Sequence, residues 1–200
     1  YCDGGSQLAF YRMSFRGKDY ASINMVPGGH GDQIADKFPN EKIPCTVNIG
    51  PPPMVELMAI GTFIPLVFPA VDEIGIAGAL QGSPVELVKA KTVDAYAIAN
   101  AEIVLEGYLE PYAENCWESD DAEKLCKQGD PKAPFFPEWV GYMGTSWKVR
   151  KLTVTAITMR KDKPIFYNPL AAGLEYACFD TLREATFFEL AERVAPGICV

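Results

Sequence analysis

The strongest constraint on the fold is an alternation of apolar and polar residues over residues 148–160, clearest in the run LTVTA at 152–156. A period of two predicts a strand with one buried face, which is typical of antiparallel sheets. Residues 15–19 are rich in turn formers and join two flanking runs into a predicted hairpin. The further predicted strands are residues 7–13, 20–26, 45–50, 85–92, 101–109 and 164–167.

Helical patterns lie between these strands. They predict helices at residues 30–38, 51–60 and 72–80, and an amphipathic helix at 180–194 with Asp180 as its N-cap. Residues 112–137 are rich in Glu, Asp, Lys, Gly and Pro, so we expect a long surface excursion there. Because strands and helices do not alternate strictly, the predicted fold class is α+β, with a twisted sheet or partly closed barrel flanked by helices.

The composition excludes several classes of protein. The chain is 48% hydrophobic and 22% charged, which excludes a disordered protein. It carries 18 Lys and Arg against 26 Asp and Glu, a net charge of −8 with no basic cluster, so we expect no nucleic-acid partner. Residues 54–71 form the longest apolar stretch, but Glu56, Gly61, Pro65 and Pro69 interrupt it, which argues against a membrane span.

The histidine and cysteine counts narrow the chemistry. His30 is the only histidine, so a histidine cluster around a metal is impossible, and carboxylates and cofactors become the better candidates for catalysis. Six scattered cysteines form no CxxC pair, so we expect reduced thiols and a soluble, cytoplasmic protein. The sequence at Tyr1 has the character of mid-domain sequence, and we therefore expect a segment of a longer protein.

Three features each allow two interpretations. Residues 28–31 (GGHG) either bind a phosphate through backbone N–H groups at a helix start or form a plain strand-to-helix turn. Arg12 ends an apolar run and forms either a salt bridge at the sheet edge or a fork that binds a substrate carboxylate. Glu138 lies among aromatic and proline residues and is either a solvated loop residue or a desolvated acid suited to proton donation.

Short motifs follow one another over residues 5–170. They are LAFYR at 8–12, GH at 29–30 with QIAD at 33–36, IGPP at 49–52, DE at 72–73 with IAGAL at 76–80, AEIVLEG at 101–107, and PE at 137–138 with GY at 141–142. In this order they resemble the UbiD family of prenylated-FMN-dependent decarboxylases. The resemblance implies a split β-barrel of the flavin-reductase type with flanking helices over residues 1–170, with an insertion at about 112–137. Residues 171–200 are then a linker and the start of a C-terminal helical region.

The resemblance also implies a cofactor and a metal. A divalent cation, manganese or another, is expected to hold the flavin phosphate, with K+ as a further candidate ion. Its expected ligands are Gln7, His30 and Glu73, and Gln7 stands where the family usually has Asn. Glu73 otherwise only places negative charge at a helix N-terminus. The residues expected to line the cofactor are Phe10, Tyr11, Arg12, Asn24, Met25, Val26, Gly29, His30 and Glu73.

Catalytic roles follow from the same resemblance. Arg12 is expected to contact the reacting carboxylate, and Glu138 is expected to protonate carbon after CO2 leaves. The family commonly has a second glutamate five residues before the proton donor, where this chain has Ala133. Either another acid such as Asp130 replaces that glutamate, or Arg12 and Glu138 act without it.

The leading hypothesis is a non-oxidative, reversible decarboxylase of an aromatic or α,β-unsaturated carboxylic acid. Its expected partners are the small acid, CO2, a flavin prenyltransferase that supplies the cofactor, and further copies of the full-length protein in a homo-oligomer. Two alternatives remain open at this point. One is a flavin reductase that uses ordinary FMN, and the other is a non-catalytic subunit of a carboxylase complex.

Overall fold

The computed structural model describes residues 7–60, 72–127, 134–137, 141–162 and 174–198. The chain divides into two compact units. The sheet unit comprises Tyr11–Gly50 and Glu86–Phe166, and the helical unit comprises Tyr1–Phe10, Pro51–Val85 and Tyr167–Val200. Antiparallel sheets and helices are both present, so the α+β prediction is confirmed at that level.

The described strands all belong to the sheet unit. They are β1 Arg12–Phe15, β2 Tyr20–Asn24, β3 Ile43–Ile49, β4 Leu87–Lys89, β5 Tyr96–Ile98, β6 Ile103–Leu109, β7 Cys116–Trp117, β8 Pro134–Pro137, β9 Met143–Thr145 and β10 Lys148–Met159. Among the described residues the main sheet has six strands, in the order β1-β2-β10-β6-β3, with β7 paired to the start of β10. Two antiparallel pairs, β4 with β5 and β8 with β9, lie outside it.

Strand β10 organises the main sheet and confirms the strand predicted from the alternation. It pairs antiparallel with β2, β6 and β7. Its register with β6 shifts between Val154 and Ala156, and Gly107 of β6 lies beside this bulge. A Cβ atom on Gly107 would lie 2.1 Å from the Thr153 carbonyl oxygen, so the close approach of the two strands requires glycine.

Five helices are described. In the sheet unit these are α1 His30–Lys37 and α4 Asp120–Lys127, and in the helical unit α2 Pro53–Ile60, α3 Glu73–Gln81 and α5 Leu174–Val194. Asp72 caps α3 by accepting a hydrogen bond from the Ile74 N–H, and Gly82 ends the helix with a φ of 75°. Within the described ranges, no helix is both long and apolar enough to cross a membrane.

Each unit has its own buried apolar residues. In the helical unit α2 packs against α3, and the fully buried residues there are Val55, Met58 and Ala77. In the sheet unit the buried apolar residues of the main sheet and of α1 include Ala21, Ile23, Leu105, Leu152 and Ala35. Burial of these side chains supplies the hydrophobic stabilisation of each unit.

Several predicted boundaries were wrong, and each has a physical reason. β1 begins only at Arg12, because its partner β2 ends at Asn24 directly opposite and offers residues 7–11 no further pairing. α5 begins at Leu174, so Asp180 lies inside the helix, because residues 174–179 contain no glycine or proline that would stop it. The strand predicted at 164–167 lies outside the described residues.

The excursion predicted at residues 112–137 is more ordered than expected. It contains a 3-10 turn at Tyr112–Glu114, strand β7, helix α4 and strand β8. Glu118 and Ala122 within it are buried. The prediction that this segment is surface throughout was therefore wrong.

A buried carboxylate on β6 holds the loop between β4 and β5. Glu106 is 2% exposed, and its Oε2 accepts hydrogen bonds from the N–H of Lys91 and from both the N–H and the hydroxyl of Thr92. Burial raises the pKa of Glu106, but these hydrogen bonds outweigh it and hold the pKa below the ordinary 4.5. A group whose pKa is depressed on folding contributes stability above its unfolded pKa, which is lost as the pH falls through its folded pKa.

We therefore expect Glu106→Gln to lower the free energy of unfolding by about 1–3 kcal/mol at pH 7, because hydrogen bonds to the charged carboxylate are weakened. The difference from the wild type is expected to shrink as the pH falls below 4.5. Urea unfolding followed by circular dichroism at pH 7, 5 and 4 measures this, with the exposed Glu86→Gln as the matched control. A loss of equal size at all three pH values would contradict the assignment.

Candidate active site

Arg12 lies at the first position of β1 and forms a bidentate ion pair with Glu118. Its Nε donates to Glu118 Oε1 at 2.8 Å, and its Nη2 donates to Oε2 at 2.7 Å. The same Nη2 also donates to the Thr145 carbonyl at 3.0 Å. The salt-bridge interpretation of Arg12 is therefore what the structure shows, and the guanidinium is held in a fixed plane.

Glu118 is the most completely bonded carboxylate of this site. Besides the two bonds from Arg12, it accepts from Asn24 Nδ2 at 3.1 Å and from the Trp147 N–H at 2.9 Å. Its side chain is 2% exposed, whereas that of Arg12 is 32% exposed. The pair thus joins a buried carboxylate to a guanidinium that still reaches the surface, and such a group can bind a second anion.

The local sequence explains how Glu118 reaches this position. Strand β7 ends at Trp117, one residue before it, and the Glu118 N–H donates to the Trp147 carbonyl at 3.1 Å. The next residue, Ser119, caps α4 by accepting from the Ala122 N–H at 3.0 Å. A strand end and a helix start therefore fix the backbone on both sides of Glu118.

Glu118 was not predicted from the sequence. It lies in the segment predicted to be surface, and Arg12, its main partner, is 106 residues away in the chain. Ser119 followed by two aspartates was a local signal for a helix start. No local signal, however, indicates that a glutamate will be buried by an arginine so far away.

Most of the residues expected to line a flavin meet at one end of the sheet unit. Asn24 is the cross-strand neighbour of Arg12. A Cβ atom on Gly31, at the start of α1, would lie 2.1 Å from the Tyr11 hydroxyl and 3.4 Å from Met25 Sδ. The side chains of Tyr11 and Met25 therefore lie against the helix start that carries Gly29 and His30, and the absence of a side chain at Gly31 makes that approach possible.

Two backbone N–H groups of the glycine turn before α1 donate hydrogen bonds to nearby protein acceptors. The Gly28 N–H donates to Asp32 Oδ2 at 2.8 Å, and the Gly29 N–H donates to the Val26 carbonyl at 2.9 Å. Gly28 has a φ of 77°, which a glycine adopts without strain. At these two residues the geometry is that of the strand-to-helix turn, the simpler of the two interpretations of GGHG. His30, the first residue of α1, is exposed.

Helix α1 is tied to the rest of the sheet unit through Tyr112. The Tyr112 hydroxyl donates to Asp36 Oδ1 at 2.5 Å, and the Arg150 guanidinium lies 4.1 Å from the centre of the Tyr112 ring. Burial, followed by the hydrogen bond to Asp36, raises the pKa of Tyr112 to about 12, so the phenol remains a donor at neutral pH. Arg150 is 3% exposed, and within the described part of the chain its guanidinium has no hydrogen-bond acceptor, so the ring face is its main polar contact.

The remaining predicted cofactor and metal residues lie in the helical unit. Glu73 is the first residue of α3 and 5% exposed, Phe10 is 47% exposed, and Gln7 is half-buried. Their donor types, a carboxylate and an amide oxygen with the imidazole of His30, suit a hard to borderline divalent cation. No group of three or more His, Cys, Asp or Glu side chains in the described ranges is placed to hold a metal, and the predicted ligand set contains only two such side chains.

Glu138 lies outside the described residues, as do Ala133 and Asp130. The strands on either side of Glu138 are described. β8 ends at Pro137, immediately before it, and pairs with β9, which ends at Thr145. The Thr145 carbonyl is the one that accepts from Arg12.

The family model described as UbiD, 3-octaprenyl-4-hydroxybenzoate carboxy-lyase Rift-related domain, matches residues 2–173. Gallate decarboxylase of Lactiplantibacillus plantarum is 32% identical over 198 residues, which are 96% of this chain and 38% of that protein.

Two solved structures show the same fold. The apo 3,4-dihydroxybenzoic acid decarboxylase of Enterobacter cloacae is 28% identical, with a TM-score of 0.75 over 94% of this chain and 37% of its own. An evolved dimeric form of the UbiD-class enzyme HmfF of Pelotomaculum thermopropionicum, in complex with prFMN, is 26% identical with a TM-score of 0.73, over 97% of this chain and 42% of its own. This chain therefore spans about two fifths of the length of these relatives.

Proposed function

This chain belongs to the UbiD family, and we propose that its protein is a non-oxidative, reversible decarboxylase of an aromatic or α,β-unsaturated carboxylic acid. The relatives named for gallate and 3,4-dihydroxybenzoic acid favour a phenolic acid as the substrate. The observation that carries the proposal is the Arg12–Glu118 pair, which holds a partly exposed guanidinium in one orientation.

Arg12 is proposed to bind the substrate carboxylate. A planar guanidinium binds a carboxylate through parallel N–H donors, and holding it in place before the substrate arrives lowers the entropy cost of that binding. Glu118 and the Thr145 carbonyl accept hydrogen bonds from Nε and Nη2 of Arg12, and the guanidinium is proposed to meet the substrate carboxylate where it reaches the surface. The negative charge of Glu118 also balances the positive charge of Arg12, so the ion pair as a whole is neutral.

Glu118 is proposed to take the place of the second glutamate that the family pattern puts at Ala133. The sequence left open whether Asp130 or no acid replaces it. Glu118 is favoured because it already accepts hydrogen bonds from both Nε and Nη2 of Arg12 and its own side chain is buried. It arrives from the N-terminal end of the excursion, fifteen residues before Ala133.

Glu138 is proposed to deliver the proton to the carbon that loses the carboxylate. Prenylated FMN, when bound, supplies the electron sink for the negative charge left on carbon as CO2 departs. Protein residues then have only to orient the acid, exclude water and hold one proton. The β8–β9 pair supports this role, because it flanks Glu138 and ends at the Thr145 carbonyl bonded to Arg12.

Tyr11, Met25 and the start of α1 support a flavin site in the sheet unit, because they lie together next to Arg12 and Asn24. We propose Val26, Gly29 and His30 as further cofactor contacts there, with Phe10 and Glu73 from the helical unit. Gln7, His30 and Glu73 are proposed to bind manganese or another divalent cation, with K+ as a second ion. Their amide, imidazole and carboxylate donors fit a cation that binds a phosphate.

The wider architecture is also a proposal. We propose that residues 1–170 form a split β-barrel of the flavin-reductase type and that residues 171–200 lead into a further helical region. We also propose that the full-length protein is cytoplasmic and forms a homo-oligomer. A flavin prenyltransferase is proposed to supply its cofactor. The free thiols of Cys45, Cys116 and Cys126 are compatible with a reducing compartment.

The ligand that the protein carries tests this proposal. The full-length protein is purified after co-expression with a flavin prenyltransferase, and the mass and absorption spectrum of the bound ligand are measured. A prenylated flavin together with CO2 release from 3,4-dihydroxybenzoate or gallate is the expected result. Unmodified FMN that NAD(P)H reduces would indicate a flavin reductase instead, and a preparation without any flavin would indicate a non-catalytic subunit.

A further inference from the structure

A second arginine of the first hairpin contacts the segment that carries Glu118. Arg16 directly follows β1, and its side chain is 16% exposed. Its Nε donates to the Trp117 carbonyl at 3.0 Å, and its Nη2 forms an ion pair with Asp120. The two arginines therefore hold residues 117–120 from opposite ends of the same strand.

The two contacts act on different parts of that segment. Arg12 binds the carboxylate of Glu118, whereas Arg16 binds the backbone on one side of Glu118 and a side chain on the other. The backbone of Glu118 itself donates to the Trp147 carbonyl, and its Oε2 accepts from the Trp147 N–H at 2.9 Å. A shift of the Trp117 carbonyl would therefore move the Glu118 carboxylate relative to both Arg12 and Trp147.

Of the two contacts that Arg16 makes, the hydrogen bond to the Trp117 carbonyl is the more important. Asp120 is 78% exposed, and an ion pair with so exposed a carboxylate contributes little. Nε makes the bond to the Trp117 carbonyl, and lysine has a methylene group at the position of arginine Nε, so a lysine does not reproduce it. Arg16 is not among the residues proposed to contact substrate or cofactor.

We propose that Arg16 is a positioning residue for the carboxylate site, acting through the Trp117 backbone and Glu118 to orient Arg12. This inference rests on the proposed function, because it assumes that Arg12 binds the carboxylate of the substrate. A consequence is that residues 117–120, at the base of the excursion, must stay docked on the hairpin for Arg12 to bind that carboxylate well. An undocked excursion leaves Arg12 present but misaligned, and a displacement of about 1 Å is enough to cost about 100-fold in rate.

The test compares Arg16→Met with Arg16→Lys, Asp120→Asn and the exposed control Lys18→Met, all in the cofactor-loaded protein. The first measurement is hydrogen exchange of the Trp147 amide, which reports whether Glu118 stays in place. The second is the dissociation constant for 3,4-dihydroxybenzoate relative to catechol, its counterpart without the carboxylate. Urea midpoints verify that each variant is folded.

Arg16→Met is expected to speed Trp147 exchange at least tenfold and to weaken the acid relative to catechol by at least tenfold. Arg16→Lys is expected to behave similarly, and Asp120→Asn and Lys18→Met are expected to change neither quantity by more than about twofold. Unchanged Trp147 exchange would overturn the inference, as would faster exchange with an unchanged preference for the acid. A wild-type protein without any preference for the acid would instead count against the proposed function, and against this inference with it.

Discussion

Replacing Arg12 with methionine is expected to lower the free energy of unfolding by about 3–5 kcal/mol, the cost of leaving a buried charge without its partner. Glu118 is 2% exposed and would keep only the Asn24 amide and the Trp147 N–H as donors. The reciprocal change, Glu118→Gln, is expected to cost only about 1–2 kcal/mol. Arg12 is 32% exposed, so water can solvate its charge, and the new amide oxygen can still accept a hydrogen bond from it.

Equilibrium urea unfolding of the two single variants and the double variant measures this asymmetry. The double variant is expected to lose less stability than the sum of the two single losses, because no buried carboxylate is then left without its guanidinium. Lys18→Met serves as the control for loss of an exposed positive charge in the same hairpin. Equal losses for the two single variants, or simple additivity in the double variant, would contradict the structure of the pair.

Removing the acid at position 138 is expected to have the largest effect on turnover. Glu138→Gln keeps the shape of the side chain but cannot donate a carboxylic proton, and general acid catalysis contributes about 10²–10⁴-fold in rate. We therefore expect kcat for CO2 release to fall by that factor, while the content of bound flavin and the urea midpoint stay unchanged.

The matched control is Glu123→Gln, a 46% exposed glutamate of α4 that pairs with Lys127 in the next turn. It is expected to retain wild-type kcat, because a surface pair of this kind contributes little. A Glu138→Gln variant with undiminished turnover would remove Glu138 from the reaction. The proton would then have to come from another acid of the site or from water.

Much of the secondary structure was predictable from the sequence because it depends on local pattern. The alternation at 148–160 predicted β10, and the proline-initiated helix α2 and the Asp72-capped helix α3 were predicted within three residues at each end. Strand β7 has only two residues, too few to show a period. It is a strand because it pairs with β10. Local pattern also gave no reason to bury part of the excursion.

In the candidate site, too, the sequence predicted only what a local pattern indicates. Arg12 was recognisable because a guanidinium beside an apolar run needs an anion, and that anion is present. Its identity was not predictable, since Glu118 is a remote residue in a charged and otherwise unremarkable segment. Arg16 was missed for the same reason, because its partners are the backbone and an acid about a hundred residues away. The fold brings such partners together by long-range pairing that residue type alone does not encode.

The most direct measurement of the central claim follows the carboxylate and the proton in one reaction. The full-length, cofactor-loaded protein is incubated in D2O with 3,4-dihydroxybenzoate labelled with 13C at the carboxylate. We expect one 13CO2 for each catechol formed, with a single deuterium at the carbon that carried the carboxylate and no net oxidation of the product. Absence of 13CO2 from protein shown to contain prenylated flavin, or release accompanied by an oxidised product, would contradict it.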